Sequence, residues 1–274
     1  MARRVVEGTQ RTYDHHMWQF HLWLQDLGLS ELLDDIYPKL LVQVFGDIYA
    51  AGYCYSTPNA LRSGLAQKYR ISLRDPPYPT DHPSVKLALE GYRRAAASRA
   101  QKRMPILLAM YRFLLSLVPL LVAMQLRNQV EALFTLGYEL LLRVSEALAI
   151  WVHHLTFHAD YIDLLIPSSK SDPMARGISI RIRDAKLRSL LVECALSTPH
   201  GPIFTVDAAF LNDVIRGAAA RGGWSGYFSF HSLRHGKATD LWLTTGDMAL
   251  VQRAGRWATK AACRWYIHVL TAPP

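Results

Sequence analysis

The spacing of apolar residues changes twice along this chain of 274 residues, and these changes constrain its fold more than any other feature. In the first hundred residues, apolar side chains recur three or four positions apart, as on one face of a helix. They are Tyr13, Met17, Phe20, Leu24 and Leu27. Between residues 151 and 182, short segments rich in aromatic and β-branched residues are typical of strands, and beyond residue 184 the helical spacing returns. The pattern predicts a mainly α chain with one small antiparallel sheet of three strands.

Turn-forming residues divide this pattern into expected elements. The N-terminal part is predicted to be a bundle of about four helices. Besides the helix described above, these span residues 36–53, 58–69 and 84–100. The C-terminal part is predicted to be α+β. Its elements are helical residues 125–150 with a turn near Gly137, strands 151–157, 161–167 and 177–182, and helices 184–195, 207–220, 233–244 and 247–254.

The cysteines and the apolar stretches argue against a secreted or membrane protein. The three cysteines, Cys54, Cys194 and Cys263, are odd in number and far apart, so neither a disulfide framework nor a cysteine-ligated zinc site is expected. The N-terminus has no apolar signal segment behind its arginines. An apolar stretch at residues 104–126 has an uncharged part of 14 residues, shorter than the roughly 20 that a membrane span needs. We expect a buried helix there and an intracellular protein.

Positive charge indicates a polyanionic partner. The chain has 31 Lys and Arg residues against 22 Asp and Glu residues, a formal net charge of +9. Nucleic acid and an anionic membrane both fit this charge. Seven basic residues and one acid, Glu90, lie between residues 86 and 112. The basic residues are Lys86, Arg93, Arg94, Arg99, Lys102, Arg103 and Arg112. They indicate either a DNA-binding segment or a solvated helix face, and they predict a domain boundary near Arg103.

A set of reactive residue types occurs in a fixed order in the second part of the chain. His231-Ser-Leu-Arg234-His235 is followed by Trp257 and, nine residues later, by Tyr266. A histidine with an arginine three residues later is expected about once by chance in this composition, so the segment alone means little. Two further parts precede it in order. They are Arg143-Val-Ser-Glu146 and Lys170, which lies in a turn between two predicted strands.

This ordered series resembles the catalytic series of the tyrosine recombinases, the phage integrase family. The resemblance implies a core-binding domain at residues 1–103 and a catalytic domain at residues 104–274. It also implies a site-specific DNA recombinase that cleaves and rejoins DNA through a 3′-phosphotyrosine intermediate, without a metal or other cofactor. The expected partners are double-stranded DNA and further copies of the chain, as a tetramer on paired DNA sites. The segments around Lys170 and Trp257 are similar to those of recombinases from eukaryotic mobile elements.

The residue types also fit this chemistry. Arg143 and Arg234 can each donate paired hydrogen bonds to the non-bridging oxygens of a phosphodiester, and His231 and Trp257 can add donors. A phenol with an ordinary pKa of about 10 needs nearby cations to act as a nucleophile, which is the role expected of Tyr266. A lysine can protonate the departing 5′-oxygen. The resemblance assigns this role to Lys170, and it makes Glu146 and His235 supporting residues that orient the others.

Each assignment has an alternative. Arg143 is spaced to pair with Glu146 on a helix, Trp265 is a second aromatic residue beside Tyr266, and Arg176 lies on the same connection as Lys170. Two positions where the family commonly has glycine differ here. Leu141 and Leu142 precede Arg143, and Arg256 precedes Trp257, where its side chain is expected to contact phosphate or face solvent.

Two other functions compete with recombination. One is a catalytically inactive, recombinase-fold DNA-binding or accessory protein, which the complete catalytic series argues against. The other is a metal-dependent nuclease that uses His15-His16 or His153-His154, but adjacent side chains on a helix or strand point in different directions. We therefore expect an enzyme associated with cellular DNA.

Overall fold

The computed structural model describes residues 7–33, 36–72, 74–97, 103–167 and 177–268. The chain divides into two compact units, Met1–Ala100 and Gln101–Pro274. The described residues form α-helices and a three-stranded antiparallel sheet, which confirms the predicted fold class.

The first unit is a bundle whose described part contains four α-helices. They are α1 (Glu7–Asp26), α2 (Pro38–Ala50), α3 (Ser56–Ile71) and α4 (Pro83–Ala97). Helix α1 packs against α3 and α2 packs against α4, with Phe20, Leu24 and Phe45 in the shared core. Leu27 belongs to the predicted apolar stripe but is exposed, because α1 ends at Asp26.

The second unit combines helices with the sheet around one large core. Its described elements are α5 (Leu108–Leu121), α6 (Arg127–Glu139), α7 (Val144–Leu148), β1 (Leu155–Phe157), β2 (Ile162–Ile166), β3 (Ile178–Ile182), α8 (Ala185–Ser197), α9 (Ala208–Arg221), α10 (Phe230–Thr245), α11 (Met248–Ala254) and α12 (Lys260–Arg264). Strand β2 lies between the other two, so Leu164 pairs with Leu155 on one side and with Ile180 on the other. Helix α6 contacts α5, α8 and α10 and forms the centre of the core.

Three predictions about local structure in this unit differ from the structure. Residues 151–157 are not one strand, because Val152–His154 form a 3-10 turn and only Leu155–Phe157 pair with β2. The turn predicted near Gly137 lies at Leu140 instead, since α6 continues through Gly137 to Glu139. A Cβ there would lie 2.7 Å from Phe230 Cζ, so the glycine serves close packing.

The apolar stretch at residues 104–126 contains the predicted helix, α5, but only one face of this helix is buried. Leu114 and Val118 face the core, whereas Leu120 and Met124 are 69% and 80% exposed. Within the described residues, no helix is both long and apolar enough to cross a bilayer.

Helix α10 passes very close to the start of the second unit at Gly236. A Cβ at this position would lie 1.7 Å from the backbone oxygen of Ile106 and 2.4 Å from its carbonyl carbon. The Gly236→Ala variant is therefore expected to lose about 3 kcal/mol or more of unfolding free energy. Gly217 in α9 is the matched control, because the nearest atom to its Cβ, Leu121 Cδ2, lies at 3.4 Å. The Gly217→Ala variant should gain up to about 1 kcal/mol from helix propensity. Chemical denaturation measures both effects, and equal stability of the two variants would contradict the close approach.

Candidate active site

The first two turns of α10 carry three of the predicted site residues, His231, Arg234 and His235. The helix begins at Phe230, whose backbone N–H donates to Asn212 Oδ1 at 2.8 Å. Because His231 and His235 are four residues apart, their rings share one face of the helix, with centroids 5.2 Å apart. Arg234 is fully buried. One helix start therefore holds an arginine and two histidines together.

Arg234 contacts three separate segments of the candidate site, which are the turn before Arg143, the Gly255–Trp257 segment and Tyr266. Its Nη1 donates to the Leu141 carbonyl, just before the first arginine of the series, and its Nη2 donates to the Gly255 carbonyl at 2.5 Å. Its Cζ lies 4.6 Å from the ring centroid of Trp257 and 5.4 Å from that of Tyr266. Two of its five N–H groups thus bind backbone, and buried Nε has no partner among the described residues.

Glu146 lies among the positive charges of the site and is itself buried. Arg143 directly precedes α7, and its backbone N–H donates to Glu146 Oε2 at 3.0 Å while its Nη1 donates to Oε1. Arg256 Nη2 donates to the same Oε2 at 3.2 Å. Burial raises the pKa of Glu146, but the hydrogen bonds and charge of Arg143 and the charge of Arg256 hold it below its usual value. The ion pair expected as the alternative role of Arg143 is therefore present.

The same positive charges affect Arg234. Burial lowers the pKa of Arg234 to about 10, and the charges of Arg143 and Arg256 act in the same direction. Its guanidinium still carries its proton at neutral pH. The site therefore contains three arginines and one buried carboxylate, an excess of positive charge that suits an anionic ligand.

Tyr266 follows α12 and packs against the residues of α10. Its ring centroid lies 4.6 Å from that of His235, 4.7 Å from that of Trp257 and 5.3 Å from that of His231. Its hydroxyl makes no hydrogen bond to any residue of the described chain. Trp265, the neighbouring aromatic residue, is 83% exposed. The structure therefore brings Tyr266, and not Trp265, to the predicted arginine and histidines.

Thr239 attaches the segment that carries Tyr266 to α10. Its buried hydroxyl accepts the backbone N–H of His268 at 3.0 Å and lies 2.8 Å from the His235 carbonyl and 3.4 Å from the Tyr266 carbonyl. His268 Nε2 also lies 3.1 Å from His235 Nδ1, so one of these nitrogens donates to the other. The position of Tyr266 thus depends on contacts on both sides of it.

The remaining predicted site residues differ in position. The Trp257 indole is buried, and its Nε1 has no hydrogen-bond partner among the described residues. Lys170, Arg99 and Lys102 lie outside the described residues. Arg103 belongs to the second unit, where its Cζ lies 5.8 Å from the ring centroid of Tyr227.

Arg93 and Arg94 lie on α4 in the first unit, and both are exposed. Arg93 Nη2 and Arg94 Nε contact the same oxygen of Glu90, at 2.7 Å and 3.2 Å. Each arginine keeps further donors, and the helix face carries a net positive charge. This arrangement is compatible with both interpretations of the basic segment, a DNA contact and a solvated face.

Burial keeps the two histidines of α10 neutral. Burial and the charges of Arg103, Arg234 and Arg143 lower the pKa of His231 to about 4. Burial and the neighbouring histidines lower the pKa of His235 to about 3. Both rings are therefore uncharged near neutral pH, where each can act as a neutral donor or acceptor.

These lowered pKa values predict a stability that falls in mild acid. As the pH falls below the ordinary histidine value of 6.5 toward 4, the unfolded chain binds protons at these rings and the folded chain does not. The contribution of these two histidines to stability is thus fully present above pH 6.5 and is lost as the pH falls below it. Near pH 5 the unfolding free energy of the His231→Gln variant should change less with pH than that of wild type, by up to about 1.4 kcal/mol per pH unit. Urea unfolding across this range measures the slope, and equal slopes for both proteins would contradict the assignment.

Sequence reasoning missed the contacts of Arg256, Thr239 and His268. Arg256 was expected at phosphate or in solvent, but its guanidinium is buried and binds Leu140, Leu141 and Glu146. The spacing of Thr239, one turn after His235, was the only local signal for its role. Among the described residues, no group of three His, Cys, Asp or Glu side chains is placed to hold a metal ion.

Comparison with known proteins agrees with this geometry. The model of the phage integrase family matches residues 120–272, more than half of the chain. The chain belongs to the phage integrase family. A search of curated proteins gives no significant match. The family match specifies no branch, so the similarity to recombinases of eukaryotic mobile elements stays a prediction.

Solved structures of tyrosine recombinases have the same fold as this integrase-family chain. A post-cleavage complex of the XerH site-specific recombinase with a palindromic difH substrate is 18% identical, with a TM-score of 0.66, and the match covers 93% of this chain and 75% of that one. A lambda integrase tetramer bound to a Holliday junction is 16% identical, with a TM-score of 0.62, and the match covers 97% of this chain and 73% of that one. The Tn1549 transposon integrase in complex with circular intermediate DNA is 12% identical, with a TM-score of 0.54, and the match covers 96% of each chain.

Proposed function

We propose that this integrase-family protein is a site-specific DNA recombinase that cleaves and rejoins strands through a 3′-phosphotyrosine intermediate. One observation carries the proposal. Tyr266 lies in ring contact with His231, His235 and Trp257, and the Arg234 guanidinium lies against its ring. A phenol surrounded by neutral imidazoles and a buried cation, with excess positive charge nearby, suits attack on a phosphodiester.

The proposed reaction conserves the energy of the phosphodiester bond. Tyr266 gives its hydroxyl proton to the neutral imidazole of His231, and its oxygen attacks phosphorus. The bond from phosphorus to the 5′-oxygen breaks, and its electron pair stays on that oxygen. Lys170 supplies the proton to the 5′-oxygen. Arg143 and Arg234 stabilise the charge on the non-bridging oxygens. Rejoining reverses these steps with a 5′-hydroxyl as the nucleophile, so no metal or nucleotide is consumed.

DNA binding must rearrange the side chains around Arg234 before this reaction can occur. Arg234 is fully buried and already binds two backbone carbonyls, and Trp257 and Tyr266 lie against its guanidinium. The unpaired N–H groups of Arg234 Nε and Trp257 are costly when buried, and a phosphate oxygen would pair them. We propose that Tyr266 moves off Arg234 as phosphate enters. The buried Arg234 also favours the second candidate, an inactive DNA-binding protein of the same fold.

Covalent capture separates these candidates. Duplexes recovered from a random pool by binding to the protein would be nicked within the bound site, incubated with protein in EDTA, and analysed under denaturing conditions. We expect a covalent protein–DNA complex whose yield does not change when EDTA is replaced by magnesium. DNA binding without any covalent complex would support the inactive protein, and cleavage only with magnesium would support the nuclease.

DNA binding is also expected to depend on Arg93 and Arg94. If both contact phosphates, the Arg93→Gln/Arg94→Gln variant should reduce the slope of log affinity against log salt by about 1.8, or about 0.9 for each contact. Arg216 is a matched control, because it is as exposed as Arg93 and pairs with Asp213 three residues away. We expect no change of slope for the Arg216→Gln variant. An unchanged slope for the double variant would assign the segment to a solvated face.

We propose that four protomers act together on paired DNA sites. Recombination exchanges four strands, and each catalytic unit carries one Tyr266. The core-binding role of residues 1–103 and the catalytic role of residues 104–274 belong to the same proposal, as does a location inside the cell, where the DNA is. Light scattering of the protein on paired sites should give four protomers per complex, and one protomer per site at saturation would contradict it.

A further inference from the structure

Arg256 has a backbone conformation that is rare for a residue with a side chain. Its φ is +56°, in the left-handed region, at a position where the resemblance led us to expect glycine. Leu141 has a φ of +50° and is the second described non-glycine residue in this region. It also occupies a position where the family commonly has glycine. A left-handed conformation is unfavourable for arginine and leucine, so other contacts must stabilise both residues.

The Arg256 side chain supplies such contacts. Its Nη1 donates to the Leu140 carbonyl at 2.9 Å, and its Nη2 lies 3.1 Å from the Leu141 carbonyl and 3.2 Å from Glu146 Oε2. The side chain is only 9% exposed. The two unusual backbone positions, more than 100 residues apart in sequence, are therefore joined directly through one guanidinium.

These contacts direct Arg256 toward the protein and away from DNA. Donors of the guanidinium face two carbonyls and a carboxylate, and burial leaves little of it open to a phosphate. Glu146 in turn receives both the backbone N–H and the guanidinium of Arg143. Arg256 thus contacts the residue that orients Arg143, and also the turn that precedes Arg143.

We infer that Arg256 is a positioning residue for the reaction, which acts through Glu146 and the Leu140–Leu141 turn to hold Arg143 in place for the scissile phosphate. The inference rests on the proposed function. Arg256 stands where the resemblance predicts glycine, and its side chain holds the turn through the Leu140 and Leu141 carbonyls. A carboxylate held by two arginines keeps its orientation better than one held by a single arginine, so Arg143 is held in one geometry.

The test compares Arg256→Gly with wild type in cleavage rate, DNA affinity and thermal unfolding. We expect a rate about 10- to 100-fold lower, the usual loss for a residue that orients a site residue, with similar DNA affinity. Added millimolar guanidinium should restore part of the rate, and sodium chloride at the same concentration should not. Arg253→Gln, an exposed neighbour on α11, is the charge-matched control and should cleave normally. If Arg256→Gly does not fold, Arg256→Lys, which keeps the charge and fewer contacts, should show a smaller loss.

A double variant distinguishes positioning from general support of the fold. In an Arg143→Ala background, Arg256→Gly should cause no further loss, because the residue it positions is gone. If Arg256→Gly lowers the cleavage rate by the same factor in both backgrounds, or if its rate is normal, the inference is overturned.

A measurement without DNA separates this inference from the proposed function. Carbon NMR can follow the titration of the side-chain carboxyl groups, with the Glu146 signal assigned by its loss in the Glu146→Gln variant. We expect the pKa of Glu146 to be higher in Arg256→Gly than in wild type. If wild type forms no covalent complex, the proposed function fails while this titration still tests the contact. An unchanged Glu146 titration would overturn the inference whatever the activity.

Discussion

Replacing Tyr266 by phenylalanine is expected to abolish the covalent protein–DNA complex while DNA affinity stays near that of wild type. The change removes only the hydroxyl, which has no partner in the described chain, so the ring contacts with His235 and Trp257 persist. Loss of a nucleophile lowers the rate by about 10⁴-fold or more. Denaturing gels after incubation with a nicked site measure the complex.

Trp265 provides the matched control for this experiment. It is the adjacent aromatic residue, it is largely exposed, and Trp265→Phe should leave the yield of the covalent complex unchanged. A complex that persists in Tyr266→Phe would show that another residue attacks the DNA. A complex lost in Trp265→Phe but retained in Tyr266→Phe would show that the covalent complex depends on Trp265 and not on Tyr266.

Replacing Arg234 by lysine should produce the next largest effect. A lysine ammonium cannot span the Leu141 and Gly255 carbonyls that the guanidinium joins, and it cannot offer a paired donor to phosphate. We expect cleavage to fall by about 10²- to 10³-fold, the typical loss for one donor that stabilises transition-state charge. A carbonyl left without a donor should also cost about 1–3 kcal/mol of stability.

Two measurements separate these effects of Arg234→Lys. Chemical denaturation gives the stability loss, and single-turnover cleavage at a temperature where the variant is fully folded gives the rate. Full activity in the folded variant would mean that the charge alone is sufficient. A loss of DNA affinity with an unchanged rate at saturating DNA would indicate that Arg234 binds the ground state as strongly as the transition state.

The sequence was most informative where local periodicity decides structure. The stripe of Phe20 and Leu24 and the strand predicted at residues 161–167, which contains β2, follow from local patterns alone. Prediction failed at Gly137, where a glycine that resembles a turn signal instead allows Phe230 to approach α6. Local sequence does not contain that contact, since the two residues are 93 positions apart.

The candidate site was predictable in its residue types but not in its connections. The ordered motifs identified Arg143, Arg234 and Tyr266, which the structure brings together. They did not reveal that both terminal nitrogens of Arg234 bind backbone carbonyls, or that Arg256 contacts Glu146. These bonds join segments about 20 to more than 100 residues apart, and their partners include backbone atoms that every residue has. Only the folded chain selects among them.

Peptide mapping of the covalent complex tests the central claim most directly. Wild-type protein would be incubated with a nicked duplex in EDTA, denatured and digested with protease and nuclease, and the modified peptide would be sequenced by mass spectrometry. We predict a single nucleotide joined through its 3′-phosphate to Tyr266. A modification on any other residue, or cleaved DNA without a covalent protein adduct, would contradict the account.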